Sequence, residues 1–177
     1  MATLNWTGEI LAQLQFYWDY SLWPRLKGLT DEEFHWKPAP GAWGVGPGPD
    51  GCFRPDRPAP DPDPPPVTTI AWRLGHITVD VLELRDGRHF GRGTPHGTDW
   101  PGTADAARER LHLAYLSWSD HVRSLGEEGL AAPISGTEAP ERADFPMVAL
   151  VLHVQREVIH HSAEVALLRD LYRAGPR

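Results

Sequence analysis

Cysteine is nearly absent from this chain: Cys52 stands alone among 177 residues. That excludes an intramolecular disulfide and any zinc cluster built from thiolates, so a bound metal would have to be held by His, Asp and Glu. Cys52 lies in a loop beside Gly51 and Phe53, where no neighbouring residue marks it as a nucleophile. Lysine is scarce too, with only Lys27 and Lys37, while arginine is abundant. The formal net charge is −7, which argues against a nucleic-acid partner, because phosphate binding needs a basic surface. No apolar run is long enough to span a bilayer, so no membrane partner is expected. The opening Met1-Ala2-Thr3-Leu4-Asn5-Trp6 lacks a basic region followed by an apolar one, and the expected compartment is the cytoplasm. Gly-x-Gly-x-x-Gly and Walker-type loops are missing, as is the strand-elbow serine motif. So are internal repeats and strand-like alternation of useful length.

What the chain does have is helical periodicity. Its 41% hydrophobic and 23% charged residues suit one globular domain with a real core, spanning 1–177. The first helix is expected from about Leu4 to Trp23, ended by Pro24 and Gly28. Thr30-Asp31-Glu32-Glu33-Phe34 reads as a capped turn, with Thr30 at the N-cap and Glu33 three residues on. From Pro38 to Pro66 the chain is too rich in Pro and Gly for a regular element. A loop of that length is either a lid over a pocket or a surface excursion. The second helix is expected from Thr69 to Asp86, with Ile70, Leu74, Ile77, Val81 and Leu84 as its stripe. A Gly-, Thr- and Pro-rich connection, Gly87 to Gly102, leads to a third helix from Thr103 to Leu125. The fourth is expected from Phe145-Pro146 to Tyr172. Four amphipathic helices without a sheet signal predict an all-α, four-helix bundle with a long Pro/Gly-rich loop between helices 1 and 2.

Glu157 and His161 are the most informative pair. They lie four apart on the last helix, about one turn, so they share a face. With Leu150 at zero and roughly 100° per residue, Glu157 falls near −20° and His161 near +20°. Leu150, Val154, Val165, Leu168 and Tyr172 lie between roughly 0° and +60°, so both polar residues are expected inside the apolar stripe. His160, His153 and Glu164 fall towards one edge. A carboxylate and an imidazole in that setting need a partner. Two remain open from this helix alone: a buried Glu–His hydrogen bond, or a metal ion.

Two metal readings compete. In the first, Glu157 and His161 join a third residue from another helix in a mononuclear site, which leaves a coordination position open for catalysis. His76 is undecided by spacing, since it lies roughly 120° from Ile70. In the second, Glu109-Arg110-Leu111-His112 and Glu157-Val158-Ile159-His160 supply the Glu-x-x-His strings of a dinuclear bundle site, with Glu9 and Glu83 as the remaining carboxylates. Facing disfavours it, because Glu109 lies roughly 160° from Leu111 and points outwards. Tryptophans are expected mainly in the core and in a pocket wall suited to a small organic ligand.

Three segments carry a resemblance to a known family. Val67-Thr68-Thr69-Ile70-Ala71-Trp72-Arg73-Leu74-Gly75-His76-Ile77 resembles the second-helix motif of DinB-like proteins. Residues 152–172, which contain Glu157 and His161, resemble their last helix. Leu29-Thr30-Asp31-Glu32-Glu33-Phe34 with Pro40-Gly41-Ala42-Trp43 resembles the segment after their first helix. The resemblance implies a four-helix bundle, often dimeric, in which three side chains hold a divalent metal; these correspond to His76, Glu157 and His161. Glu at the first of the two last-helix positions, where many members carry His, is similar to the mycothiol-dependent maleylpyruvate isomerase branch. The additional C-terminal domain of that isomerase is not in this chain. The implied activity is therefore broader: zinc, or next nickel, activates a low-molecular-weight thiol such as mycothiol or bacillithiol for transfer to a small electrophile. The alternative on the same scaffold is a metal-binding stress protein without turnover. Asp80, one turn from His76, and Arg73 and Arg156 are candidate supporting or cofactor-binding residues.

Overall fold

The computed structural model describes residues 4–57, 60, 62–91, 99–134, 138 and 140–175, and they are predominantly helical. The first helical stretch, α1, runs through Trp6–Tyr17, a π-helical turn Trp18–Leu22, and Trp23–Arg25. A short helix α2, Asp31–His35, follows. Strands β1, Val45–Pro47, and β2, Phe53–Pro55, pair antiparallel with Val45 opposite Pro55. The next stretch, α3, comprises Ile70–Gly75, a π-helical segment His76–Glu83, and Leu84–Phe90. Helices α4, Ala104–Ala131, and α5, Met147–Ala174, complete the order.

The four long stretches share one core. Leu14, Trp18 and Leu22 of α1 belong to it, with Ile70, Leu74 and Ile77 of α3. Leu111, Trp118 and Val122 of α4 and Val151, Val154 and Val158 of α5 complete its centre. Each large side chain buried there contributes about 1.5–3 kcal/mol. Trp18 stacks on Tyr115 with ring centroids 3.8 Å apart, which fixes α1 against α4. Helix starts follow the threonines: Thr30, Thr69 and Thr103 each accept an N–H three residues on, from Glu33, Trp72 and Ala106 at 3.2, 3.2 and 3.3 Å. Glu33 does not close a capping box, because its carboxylate is taken by Arg169 of α5.

Several boundaries differ from the periodicity reading. α1 continues through Pro24, just after its π turn, where the Trp23 N–H reaches back five residues to the Trp18 carbonyl. α3 runs past Gly87 to Phe90, and Gly91 ends it with an N–H bond to the Gly87 carbonyl at 3.2 Å. The expected connection after it falls largely on 92–98, outside the described residues. In α4, Gly126 has φ 59°, which a glycine adopts without steric cost, and regular helix geometry is interrupted there.

The Pro/Gly-rich segment is more ordered than its composition implied. Besides the β1–β2 hairpin, the Trp43 N–H donates to the Val67 carbonyl at 3.0 Å and the Thr69 N–H to the Trp43 carbonyl at 2.7 Å. The Asp56 carboxylate accepts the Gly44 N–H at 2.8 Å, and the Asp56 carbonyl accepts the Trp72 indole N–H at 3.1 Å. Three-residue strands with Pro47 and Pro55 at their ends leave no alternation to read. These bonds nonetheless hold the segment against the start of α3, beside His76.

Candidate metal centre

Residues of α3 and α5 meet at one seam. A ligand atom from each of His76, Glu157 and His161 lies within 4.8 Å of the others. The His76 and His161 rings approach edge-to-face, with centroids 4.8 Å apart. His76 opens the π-helical segment of α3, and one residue earlier Gly75 admits the Trp100 ring so closely that an added Cβ would sit 2.1 Å from it. Trp72 stacks on His76 at 5.2 Å and forms a wall of the site.

Glu157 and His161 are not inside the core stripe, contrary to the facing argument. The buried face of α5 is Met147, Leu150, Val151, Val154, Gln155, Val158, Ser162, Val165 and Arg169. Its centre is rotated by roughly 50° from the apolar estimate. Leu168 and Tyr172 are only half-buried. The Glu157 and His161 side chains are 25% and 12% exposed, and His76 is 21% exposed, so the cluster has one open side.

Hydrogen bonds orient the two imidazoles. His161 Nδ1 lies 2.7 Å from Glu164 Oε2, and His161 Nε2 lies 3.2 Å from Glu157 Oε2. A neutral ring carries one N–H, and the Glu164 carboxylate fixes it on Nδ1. The Nε2 lone pair then faces a carboxylate oxygen. Burial pushes the His161 pKa down; the bond to Glu164 opposes this, and the charges of His76 and Arg73 add to it, leaving the value below the ordinary 6.5. In the neutral ring, Nε2 and the Glu157 oxygen are two acceptors 3.2 Å apart. A divalent cation between them satisfies both. The separation is close to the roughly 3.3 Å between ligand atoms at about 2.0–2.1 Å from a tetrahedral ion.

His76 is arranged in the same way. Its Nδ1 lies 3.1 Å from Asp80 Oδ2, so Nε2 is the ring nitrogen turned away from that carboxylate. Asp80 also accepts from Arg57 Nη2 at 2.9 Å. Burial raises the Asp80 pKa, but the bonds from His76 and Arg57 outweigh it and the net shift is downward. Arg73 Nε bonds Glu164 at 3.0 Å, and its guanidinium lies 5.2 Å over the Trp72 ring. Its 3.3 Å approach to His161 Nδ1 brings two donors together, so the productive partner of Arg73 is Glu164. Arg156 is 69% exposed, bonds His153 at 2.7 Å and comes no nearer than 3.8 Å to Glu157. It lies beside the cluster rather than on it.

Two supporting residues escaped the sequence reading. Glu164 was signalled only by its position three residues after His161, at the edge of the stripe. Arg57 comes from the Pro-rich segment and left no signal. A second grouping, His160 with His161 and Glu164, is weaker: His160 is 65% exposed and Glu164 is engaged by Arg73. The dinuclear set is not brought together among the described residues. Glu9 and Glu109 are exposed, Glu83 is held by Arg110 at 2.7–2.8 Å, and His112 packs 4.9 Å from the Trp23 ring.

The class so defined is a helical protein with a His–Glu–His cluster on a helix seam, open on one side. The family model for the DinB superfamily matches residues 13–165, a span that contains all three cluster residues, and the chain belongs to that superfamily. Its members generally bind metal. Searches of the curated proteins and of the solved structures returned no significant match. Among the described residues, no helix is long and apolar enough to cross a membrane.

Proposed function

We propose that this protein is a metal-dependent transferase which activates a low-molecular-weight thiol for S-transfer to a small electrophile. In this reading the four long helical stretches form the DinB-type four-helix bundle. His76, Glu157 and His161 hold one divalent cation, zinc first and nickel second. The observation that carries the reading is the convergence of ligand atoms from His76, Glu157 and His161 within 4.8 Å of one another, with His161 Nε2 3.2 Å from Glu157 Oε2. A bound divalent cation lowers the pKa of a coordinated thiol, so that thiolate is present at neutral pH.

The chain's own residues supply orientation. Asp80 and Glu164 fix the two imidazole tautomers, and Arg57 and Arg73 hold those carboxylates in place. Trp72 walls off one side of the site, and the exposed edge admits the thiol and its acceptor. In the transfer the S–H proton passes to solvent and a sulfur–carbon bond forms. The displaced bond on the acceptor breaks, and its leaving atom takes up a proton.

The test is metal analysis of tag-free protein, paired with thiol consumption in the presence of electrophiles. Mycothiol, bacillithiol and simple thiols are compared. One cation per chain with consumption of at least one thiol, both lost in His161→Ala, is expected. Full metal content and full activity in His161→Ala would end the proposal. Stoichiometric metal with no thiol consumed would leave a metal-binding protein without turnover.

A further inference from the structure

A cavity of about 360 Å³ opens beside the cluster, on the side of Glu157. His153 and Arg156 line it, and both also approach Glu157 Oε1, at 3.5 and 3.8 Å. His153 and Arg156 therefore lie between the cavity and Glu157 of the cluster. The cavity's charge is unbalanced. Arg85, Arg142 and Arg156 line it against a single carboxylate, Glu138. Arg85 grips Glu138 with two bonds, at 2.7 and 2.8 Å, and His89 Nε2 lies 3.1 Å from the same group. Glu138 is thereby committed, with 7% of its side chain exposed. Arg142 has no ion-pair partner among the described residues, and Arg156 is mostly solvated. The Arg142 and Arg156 guanidiniums remain without a carboxylate partner at hydrogen-bond distance among the described residues, and each carries the fork of donors that suits a carboxylate. Ile134, Phe145 and Leu150 add apolar lining. That combination suits an organic anion with a carbon body better than a bare inorganic one.

We propose that this cavity seats the carboxylate of a small-molecule reactant, with its reacting atom directed past His153 towards the His76–Glu157–His161 cluster. The inference rests on the transferase reading for its purpose, but not for its test. The carboxylate belongs either to the thiol or to the electrophile.

Calorimetric titration of the full chain with succinate, and with dimethyl succinate as the uncharged control, reads the cavity whether or not any thiol is turned over. Saturable succinate binding is expected, with none for the diester. Arg142→Gln and Arg156→Gln should each weaken it about tenfold, while Arg123→Gln, whose guanidinium is held by Asp120 at the surface, keeps wild-type affinity. The absence of saturable succinate binding, or equal affinities in wild type and both cavity variants, would overturn the proposal. Two kinetic arms assign the source: mercaptosuccinate with styrene oxide, and 2-mercaptoethanol with trans-epoxysuccinate. In each, a sulfur–carbon bond forms, an epoxide carbon–oxygen bond breaks, and the oxygen takes up a proton. The arm whose KM rises about tenfold in Arg142→Gln carries the seated carboxylate, and no rise in either arm counts against the cavity. No turnover in either arm, with metal bound, leaves the succinate titration to decide the cavity alone.

Discussion

Glu33→Gln should cost this protein more stability than any surface charge change. Arg169 is 1% exposed and Glu33 4%, and they meet in a forked pair with Nε–Oε1 at 2.6 Å and Nη2–Oε2 at 2.8 Å. The remaining guanidinium nitrogen donates to the carbonyls of Arg25 and Lys27. The pair therefore ties α5 to the corner between α1 and α2. Glutamine keeps the shape but removes the charge, leaving a buried cation with neutral acceptors only: the glutamine oxygen and the Arg25 and Lys27 carbonyls. Removing one partner of a buried pair costs about 3–5 kcal/mol, because the other charge stays desolvated. For a domain of this size that is roughly a 6–20 °C fall in Tm. Equilibrium unfolding in urea measures it. Glu33→Leu with Arg169→Met should lose less than the sum of the single changes, since no buried charge is left behind. A loss below about 1 kcal/mol in Glu33→Gln, the scale of an exposed pair, would refute the reasoning. Metal content below the melting point should be unaffected, because Arg169 lies eight residues, roughly 12 Å along the helix, from His161.

Zinc at about a hundred times its Kd should stabilise the metal-free protein by about 2.7 kcal/mol, roughly 5–11 °C in Tm. His76→Ala and His161→Ala should each abolish that rise; a full rise in either would exclude that residue as a ligand. Asp80→Asn should weaken zinc binding about tenfold or more, read by competition with a chelator, since a second partner of this kind orients its imidazole. An unchanged affinity would show that Asp80 does not orient His76. In metal-free protein the depressed His161 pKa means that the unfolded chain takes up a proton first on acidification. Its contribution to stability is complete above about pH 6.5 and is lost as pH falls through the lower folded value. Thermal melts of wild type and His161→Gln should diverge above about pH 6.5 and converge as pH falls below the folded-state value.

The helices were legible because their signals are local. Thr30, Thr69 and Thr103 are N-cap residues whose hydroxyls do bond three residues on, and the apolar residues of α4 recur at one face. The misses have non-local causes. Pro24 ends a helix only if its missing N–H is needed, and the π turn before it changes that requirement. The β1–β2 hairpin is held by Asp56, Asp99 and Trp100, none of which belongs to either strand; the Phe53 N–H reaches Asp99 at 2.6 Å. No window of sequence contains those pairings.

The cluster shows where periodicity alone stops. The facing calculation rested on five apolar residues, yet α5 also buries Val151 and Val158, together with Gln155, Ser162 and Arg169, and these turn its inward face away from Glu157 and His161. The pair was correctly placed on one face and wrongly placed at its centre. That error matters for chemistry. At the centre of a core, the two groups would have been explained by bonding each other. At the edge, each imidazole is held by a carboxylate from outside the triad, Asp80 or Glu164, and its other nitrogen is directed into a partly open space. His76 was undecidable by spacing for a related reason: it begins a π-helical segment on a helix buried almost all round, where 100° per residue no longer describes the turn. Only the resemblance to the DinB family had paired it with α5. What the geometry adds is the set of groups that orient the triad: Asp80 and Glu164 hold the imidazoles, and Arg57 and Arg73 hold those carboxylates.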